Sequence, residues 1–140
     1  MRLALSVPPT AEMLSSVRHT VLDWLAGAGY RGERADDVLV VVSELVTNGV
    51  IHDGGDDIEL YLTKDDNGIS IEVVTIGQRS VREARQVRGV TGMAESGRGL
   101  IVVDALTDAL SIEDNRGRRH VICHVAIEQH AGTVMPVLSG

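Results

Sequence analysis

The chain has no phenylalanine, one tryptophan, two tyrosines, one cysteine and three prolines among its 140 residues. So few aromatic rings argue against base stacking as a working principle. The formal net charge is -7, which repels a phosphate backbone and argues against direct nucleic-acid binding, while attracting basic protein partners. A lone cysteine, Cys123, can form no internal disulfide and no multi-cysteine metal site; its flanks Val121-Ile122 and Val125-Ala126 suggest a buried strand position. No apolar run approaches a membrane span, and the N-terminus lacks the apolar stretch of a signal peptide. A cytoplasmic location without membrane contact is expected. What is present is 44% apolar residues, mostly Val, Leu, Ile and Ala, and 24% charged residues. That balance suits one soluble domain across residues 1–140, with a frayed tail from about residue 128.

Periodicity gives the element order. Residues 2–7 alternate as a strand. Pro8-Pro9-Thr10 turns the chain, with Thr10 as N-cap of a helix over 11–26. Leu14, Val17, Val21 and Leu25 recur at helical spacing, and Gly27 and Gly29 end the run. A second helix is expected over 34–52, opening with Asp36 and Asp37 where they suit the helix dipole. Ile58, Leu60 and Leu62 mark a strand, Asp66-Asn67-Gly68 a hairpin turn, and 69–75 the returning strand. Residues 78–97 are polar, rich in Arg and Gly, and without a period; a loop of that length in a compact domain is usually functional. A third helix over 98–109 and a hairpin of 110–113 with 119–127 complete the order. Tight hairpins make a mixed or mostly antiparallel sheet. Helices on one face then give a two-layer α/β sandwich.

Two patterns carry chemistry. Glu44, Asn48 and His52 are each four residues apart, forming a polar stripe hemmed by apolar neighbours. A carboxylate one turn from a carboxamide oxygen suits a hard cation such as Mg²⁺, which needs few protein ligands besides phosphates. The same carboxylate can deprotonate a nucleophile. A chance polar stripe at a domain edge has the same spacing. The second pattern, Gly97-Arg98-Gly99-Leu100, stands just before an apolar-periodic helix. Glycine lets backbone N–H groups approach an anion, a helix N-terminus adds free donors, and Arg98 can add a charge-assisted bond. The alternative is a loop that merely ends in a helix. Arg79, Arg82, Arg85 and Arg88 recur every three residues, as phosphate contacts or as a solvated face.

Together the patterns are more specific. The segment from Ser43 to His52, SELVTNGVIH, resembles the N-box of the GHKL superfamily, and most closely that of its anti-sigma-factor serine kinases. Gly97-Arg98-Gly99-Leu100 resembles that branch's later glycine box. The resemblance covers nearly the whole chain and implies a Bergerat fold binding ATP and Mg²⁺. On that resemblance Asn48 ligates Mg²⁺, and Glu44 is the base that activates a serine hydroxyl on an anti-anti-sigma (STAS-type) protein. Gly97, Arg98, Gly99 and Leu100 meet the phosphates, residues 78–96 form a lid, and Arg18 on the first helix lies near the partner-binding face. A sigma factor as second partner and a homodimer are also implied.

Two departures bear on function. The family's Asp-x-Gly, whose Asp accepts a hydrogen bond from the adenine amino group, corresponds here to Thr75-Ile76-Gly77. A hydroxyl is a weaker acceptor than a carboxylate by ~1 kcal/mol. The family's Gly-x-Thr-Val corresponds to the run from Gly117 to Val121, where His120 takes the position that supports the adenine pocket and neighbours Thr75. Three functions stay open: a serine-protein kinase, on Glu44, Asn48 and Gly97 to Gly99; a degenerate module that sequesters a sigma factor without ATP turnover, on Thr75 and His120; and an ATP-binding protein with an unrelated partner.

Overall fold

The computed structural model describes residues 1–10, 12–52, 57–76 and 101–127, with the backbone alone at 51 and 52. Gly77, the expected lid, the glycine box and the tail lie outside the described residues. The elements are β1 (Arg2–Val7), α1 (Met13–Gly27), α2 (Glu33–His52), β2 (Ile58–Lys64), β3 (Gly68–Ile76), a short helix α3 over 101–106, β4 (Ala109–Asn115) and β5 (Arg118–Ala126). Among the described residues no helix is long and apolar enough to cross a membrane, which says nothing of a β-barrel.

Alternation decides the architecture. In β2 and β3, Ile58, Leu60, Leu62, Ile69, Ile71 and Val73 are buried, and they share one core with Val17, Val21 and Leu25 of α1 and Val38, Val42, Leu45 and Val46 of α2. Each such side chain stabilises the fold by about 1.5–3 kcal/mol when fully buried. The strands form one sheet in the order β1-β2-β3-β5-β4, every neighbouring pair antiparallel. With α1 and α2 on one face, this is the two-layer α/β sandwich expected from the sequence. Cys123 is buried in β5, and burial pushes its thiol up to about 12.

The helix ends differ in their chemistry. Thr10 does not cap α1 with its side chain: Glu12 is the N-cap residue, and the Met13 N–H donates to the Thr10 carbonyl at 3.2 Å. The turn through Pro8 and Pro9 thus closes on backbone groups alone. At the other end Gly29 adopts φ +93°, and the Tyr30 and Gly29 N–H groups donate to Leu25 and Ala26 carbonyls at 2.8 and 3.1 Å. That pair of bonds is a Schellman cap, with Tyr30 covering Leu25 in the core. Lys64 donates from Nζ to the Ala28 carbonyl at 3.2 Å and lies 5.3 Å over the Tyr30 ring, placing a positive charge at the negative end of α1.

Both hairpins are locally specified. Asp65 Oδ1 accepts from the Asn67 and Gly68 N–H groups at 2.7 Å each. Arg116 and Gly117 both take positive φ, 53° and 79°, the pairing a two-residue type I′ hairpin requires. The third helix ends sooner than the periodicity suggests. Thr107 Oγ1 donates back to the Val103 carbonyl at 2.8 Å, and the Asp108 N–H already donates to His124 in the sheet at 2.9 Å. Residues 107 and 108 therefore leave the helix, and Ala109 begins β4 instead of ending α3.

Gly68 is the least substitutable turn position. A Cβ there would collide with the Val125 carbonyl oxygen, because β5 crosses directly beside it. Gly68→Ala is expected to cost about 1–3 kcal/mol, in line with overpacking of backbone, read as a lower thermal midpoint. An unchanged midpoint would mean β5 can retreat from the turn at no cost.

Candidate functional site

The site begins with how closely α2 can approach the sheet. Gly49 is buried on the face of α2 that packs on β2 and β3. A Cβ there would stand 3.2 Å from both Ile58 Cδ1 and Thr75 Cγ2. Thr75 lies beneath the helix, near the end of β3, at 5% exposure, and is the one buried polar side chain among the described residues. Its hydroxyl has no hydrogen-bond partner among them. A buried hydroxyl without a partner costs about 1–3 kcal/mol, so native chains retain one where something else meets it.

Glu44 and Asn48 occupy successive turns of the same helix, half-buried beside the Gly49 contact. Neither makes a hydrogen bond or ion pair with a described residue. Both thus carry oxygens without a partner among the described residues. The side chain of His52, the third member of the expected stripe, lies outside the described residues, as do Gly77, Gly97, Arg98, Gly99 and Leu100. Helix α3 follows directly from Leu100 and buries Val103 in the core.

The donor set can be weighed against ATP and Mg²⁺. Among the described residues no group of three or more His, Cys, Asp or Glu could hold a metal ion. A site that holds Mg²⁺ through one carboxamide oxygen, with phosphates and water as the other ligands, needs no such group. The Thr75 hydroxyl and the Glu44 and Asn48 oxygens, unpartnered among the described residues, fit a nucleotide with Mg²⁺ in kind.

His120 is placed differently from expectation. Thr75 points toward the helices and pairs in register with Arg119; His120 pairs with Val74 and points to the opposite, uncovered face. There its Nδ1 meets Glu72 Oε2 at 2.7 Å. His120 therefore does not neighbour Thr75 in space, because one step along a strand reverses the side chain. The residue beside Thr75 is Arg119, whose Nε donates to Asp114 Oδ1 at 3.3 Å. Arg119 was missed, although it stands two positions after the turn Gly117, where the Thr of Gly-x-Thr falls.

Arg18 lies elsewhere. It is exposed on α1, where Ser15, Arg18, His19, Leu22 and Leu39 line a shallow groove of about 220 Å³. Leu39 is about 140–180° around α2 from Glu44 and Asn48 at 100° per residue, so groove and stripe are separate surfaces.

Comparisons with known proteins bear on the family and the fold. Residues 7–124 match the family model of the histidine kinase-like ATPase domain, and the chain belongs to that family. It is 26% identical over 133 residues to the serine-protein kinase RsbW of Listeria innocua, covering 83% of this chain and 82% of that one. It is 29% identical over 120 residues to the anti-sigma F factor of Clostridium acetobutylicum, covering 77% and 80%. Among solved structures, the RsbU and RsbW domains of a Mycobacterium tuberculosis protein superpose with TM-score 0.67 at 21% identity, covering 90% of this chain. This chain spans 32% of that larger one. A SiaB-SiaC complex from Pseudomonas aeruginosa matches with TM-score 0.59 at 15% identity, covering 89% of each chain.

Thr75→Val keeps shape and removes the hydroxyl. In the ligand-free protein it is expected to leave stability unchanged or raise it by about 1 kcal/mol, measured by urea unfolding. A loss of 1 kcal/mol or more would show that the hydroxyl already has a partner.

Proposed function

We propose that this histidine kinase-like ATPase domain is a cytoplasmic anti-sigma-type regulator that binds ATP with Mg²⁺ and phosphorylates a serine of an anti-anti-sigma partner. The observation that most supports the reading is the buried Thr75 hydroxyl beneath α2, which, like the Glu44 and Asn48 oxygens of that helix, has no partner among the described residues. In it Thr75 accepts a hydrogen bond from the adenine amino group, with Gly77 as a further nucleotide contact, and Asn48 would hold Mg²⁺ through its carboxamide oxygen. Gly97, Arg98, Gly99 and Leu100 contribute backbone and guanidinium donors to the phosphates. ATP supplies the γ-phosphoryl group, and Mg²⁺ offsets its charge. Glu44 takes the proton of the attacking serine hydroxyl as the new O–P bond forms and the bond to the β-phosphate oxygen breaks, with ADP leaving. The names of the curated relatives, a serine-protein kinase and an anti-sigma F factor, support the same reading. Arg18, in its exposed groove, contacts the partner, a sigma factor or the anti-anti-sigma protein, and the active form is a homodimer.

One observation favours a second reading. Thr75 is a neutral acceptor where the family resemblance calls for an aspartate, and ~1.4 kcal/mol lost there is about tenfold in affinity. A module that sequesters its sigma factor without turning over ATP would tolerate that loss.

The two readings separate in a phosphoryl-transfer assay with radiolabelled ATP and the candidate anti-anti-sigma protein. Glu44→Ala is expected to lower transfer by at least about a hundredfold, while partner binding persists. No transfer by the wild-type protein would favour the sequestering module. In the same preparations Arg18→Ala is expected to weaken the partner complex about tenfold and leave ATP affinity unchanged; unaltered partner affinity would remove Arg18 from the interface.

A further inference from the structure

His124 sits between two carboxylates on the uncovered face of the sheet. Its Nδ1 is 2.8 Å from Asp108 Oδ1, in the connector between α3 and β4. Its Nε2 is 3.1 Å from Asp65 Oδ2, in the β2–β3 turn. A carboxylate can only accept, so both ring nitrogens must donate, which only the doubly protonated imidazolium does. Backbone bonds nearby hold each segment as well: the Asp108 N–H donates to the His124 carbonyl at 2.9 Å, and the Ile127 N–H, just past β5, to that of Asn67 at 2.9 Å. No other charge competes among the described residues that face it. Ser70 and Ala109 are its in-register neighbours on β3 and β4, Ile122 and Ala126 flank it along β5, and Glu72 is taken by His120.

We propose that His124 is a pH-sensitive brace that locks the α3–β4 connector to the β2–β3 turn while both ring nitrogens are protonated, and releases one of the two carboxylates when it loses a proton. Helix α3 continues from the glycine box, so the brace anchors the far end of the element that the box leads into.

The titration directions agree with the geometry. Desolvation pulls His124 down, but Asp108 and Asp65 outweigh it and raise it above the ordinary 6.5. Desolvation alone would raise Asp65; the Asn67 and Gly68 N–H groups and His124 instead hold it below 3.8. The His124 contribution to stability is therefore complete below 6.5 and is lost as pH rises through its raised value. That of Asp65 is complete above 3.8 and is lost as pH falls through its lowered value. The brace is fully closed between those two ordinary values.

The test is an NMR titration of the His124 Cε1 proton in the full chain, with Asp108→Asn and Asp65→Asn alongside. The wild-type midpoint should lie above 6.5, and each substitution should move it down. A midpoint at or below 6.5, or one that either substitution leaves in place, would overturn the brace. In urea unfolding, wild type should lose stability as pH rises above 6.5, and His124→Gln should reduce that loss; an identical loss in the variant would overturn it equally.

Discussion

The contact between α2 and the sheet at Gly49 sets the depth of everything around it. With no Cβ at that position, the helix comes within van der Waals reach of Ile58 and Thr75. Thr75 is thereby sealed from solvent while its hydroxyl stays unspent. Glu44 and Asn48, five residues and one residue before the close approach on the same helix, are half-buried and not in the core. A larger residue at 49 would lift the helix, expose Thr75 and move both donors together. Core packing and the candidate site thus share one cause.

Strand parity divides the chemistry between two faces. The helix side of the sheet carries the apolar core and, at its end, Thr75 beside Arg119. The other side carries a layer of paired charges: Arg2 over the Tyr61 ring at 4.6 Å, Tyr61 bonded to Glu59, Arg118 to Glu59, His120 to Glu72, and His124 to Asp65 and Asp108. Several of these pairs are half-exposed, and each contributes little on its own. Collectively they satisfy the polar groups of a face that none of the described helices covers. The histidines of β5 belong to this layer, apart from the Thr75 side.

Much of this was legible in the residues themselves. The apolar periods of α1 and α2 and the alternation of β2 and β3 mark the elements to within a few positions, since burial on one face leaves a direct imprint. The pairing of Glu44 with Asn48 was legible for the same reason. What failed depended on register or on tertiary bonds. His120 was assigned to the wrong side because a one-residue offset in matching the run after Gly117 reverses a side chain. The end of α3 was overrun because Thr107 and Asp108 leave the helix through bonds to Val103 and His124, and the second partner is distant in sequence. Thr10 looked like a cap by type, yet the Pro8-Pro9 turn closes on its carbonyl. The role of Gly49 is invisible without knowing which strands lie beneath it.

The central claim is that Thr75, Glu44 and Asn48 belong to a nucleotide site. Calorimetric titration of the purified protein with ATP, with and without Mg²⁺, tests it most directly. The account predicts Mg²⁺-dependent binding in the micromolar range, weakened about tenfold by Thr75→Val. Absence of binding at millimolar ATP, with the protein folded, would contradict it.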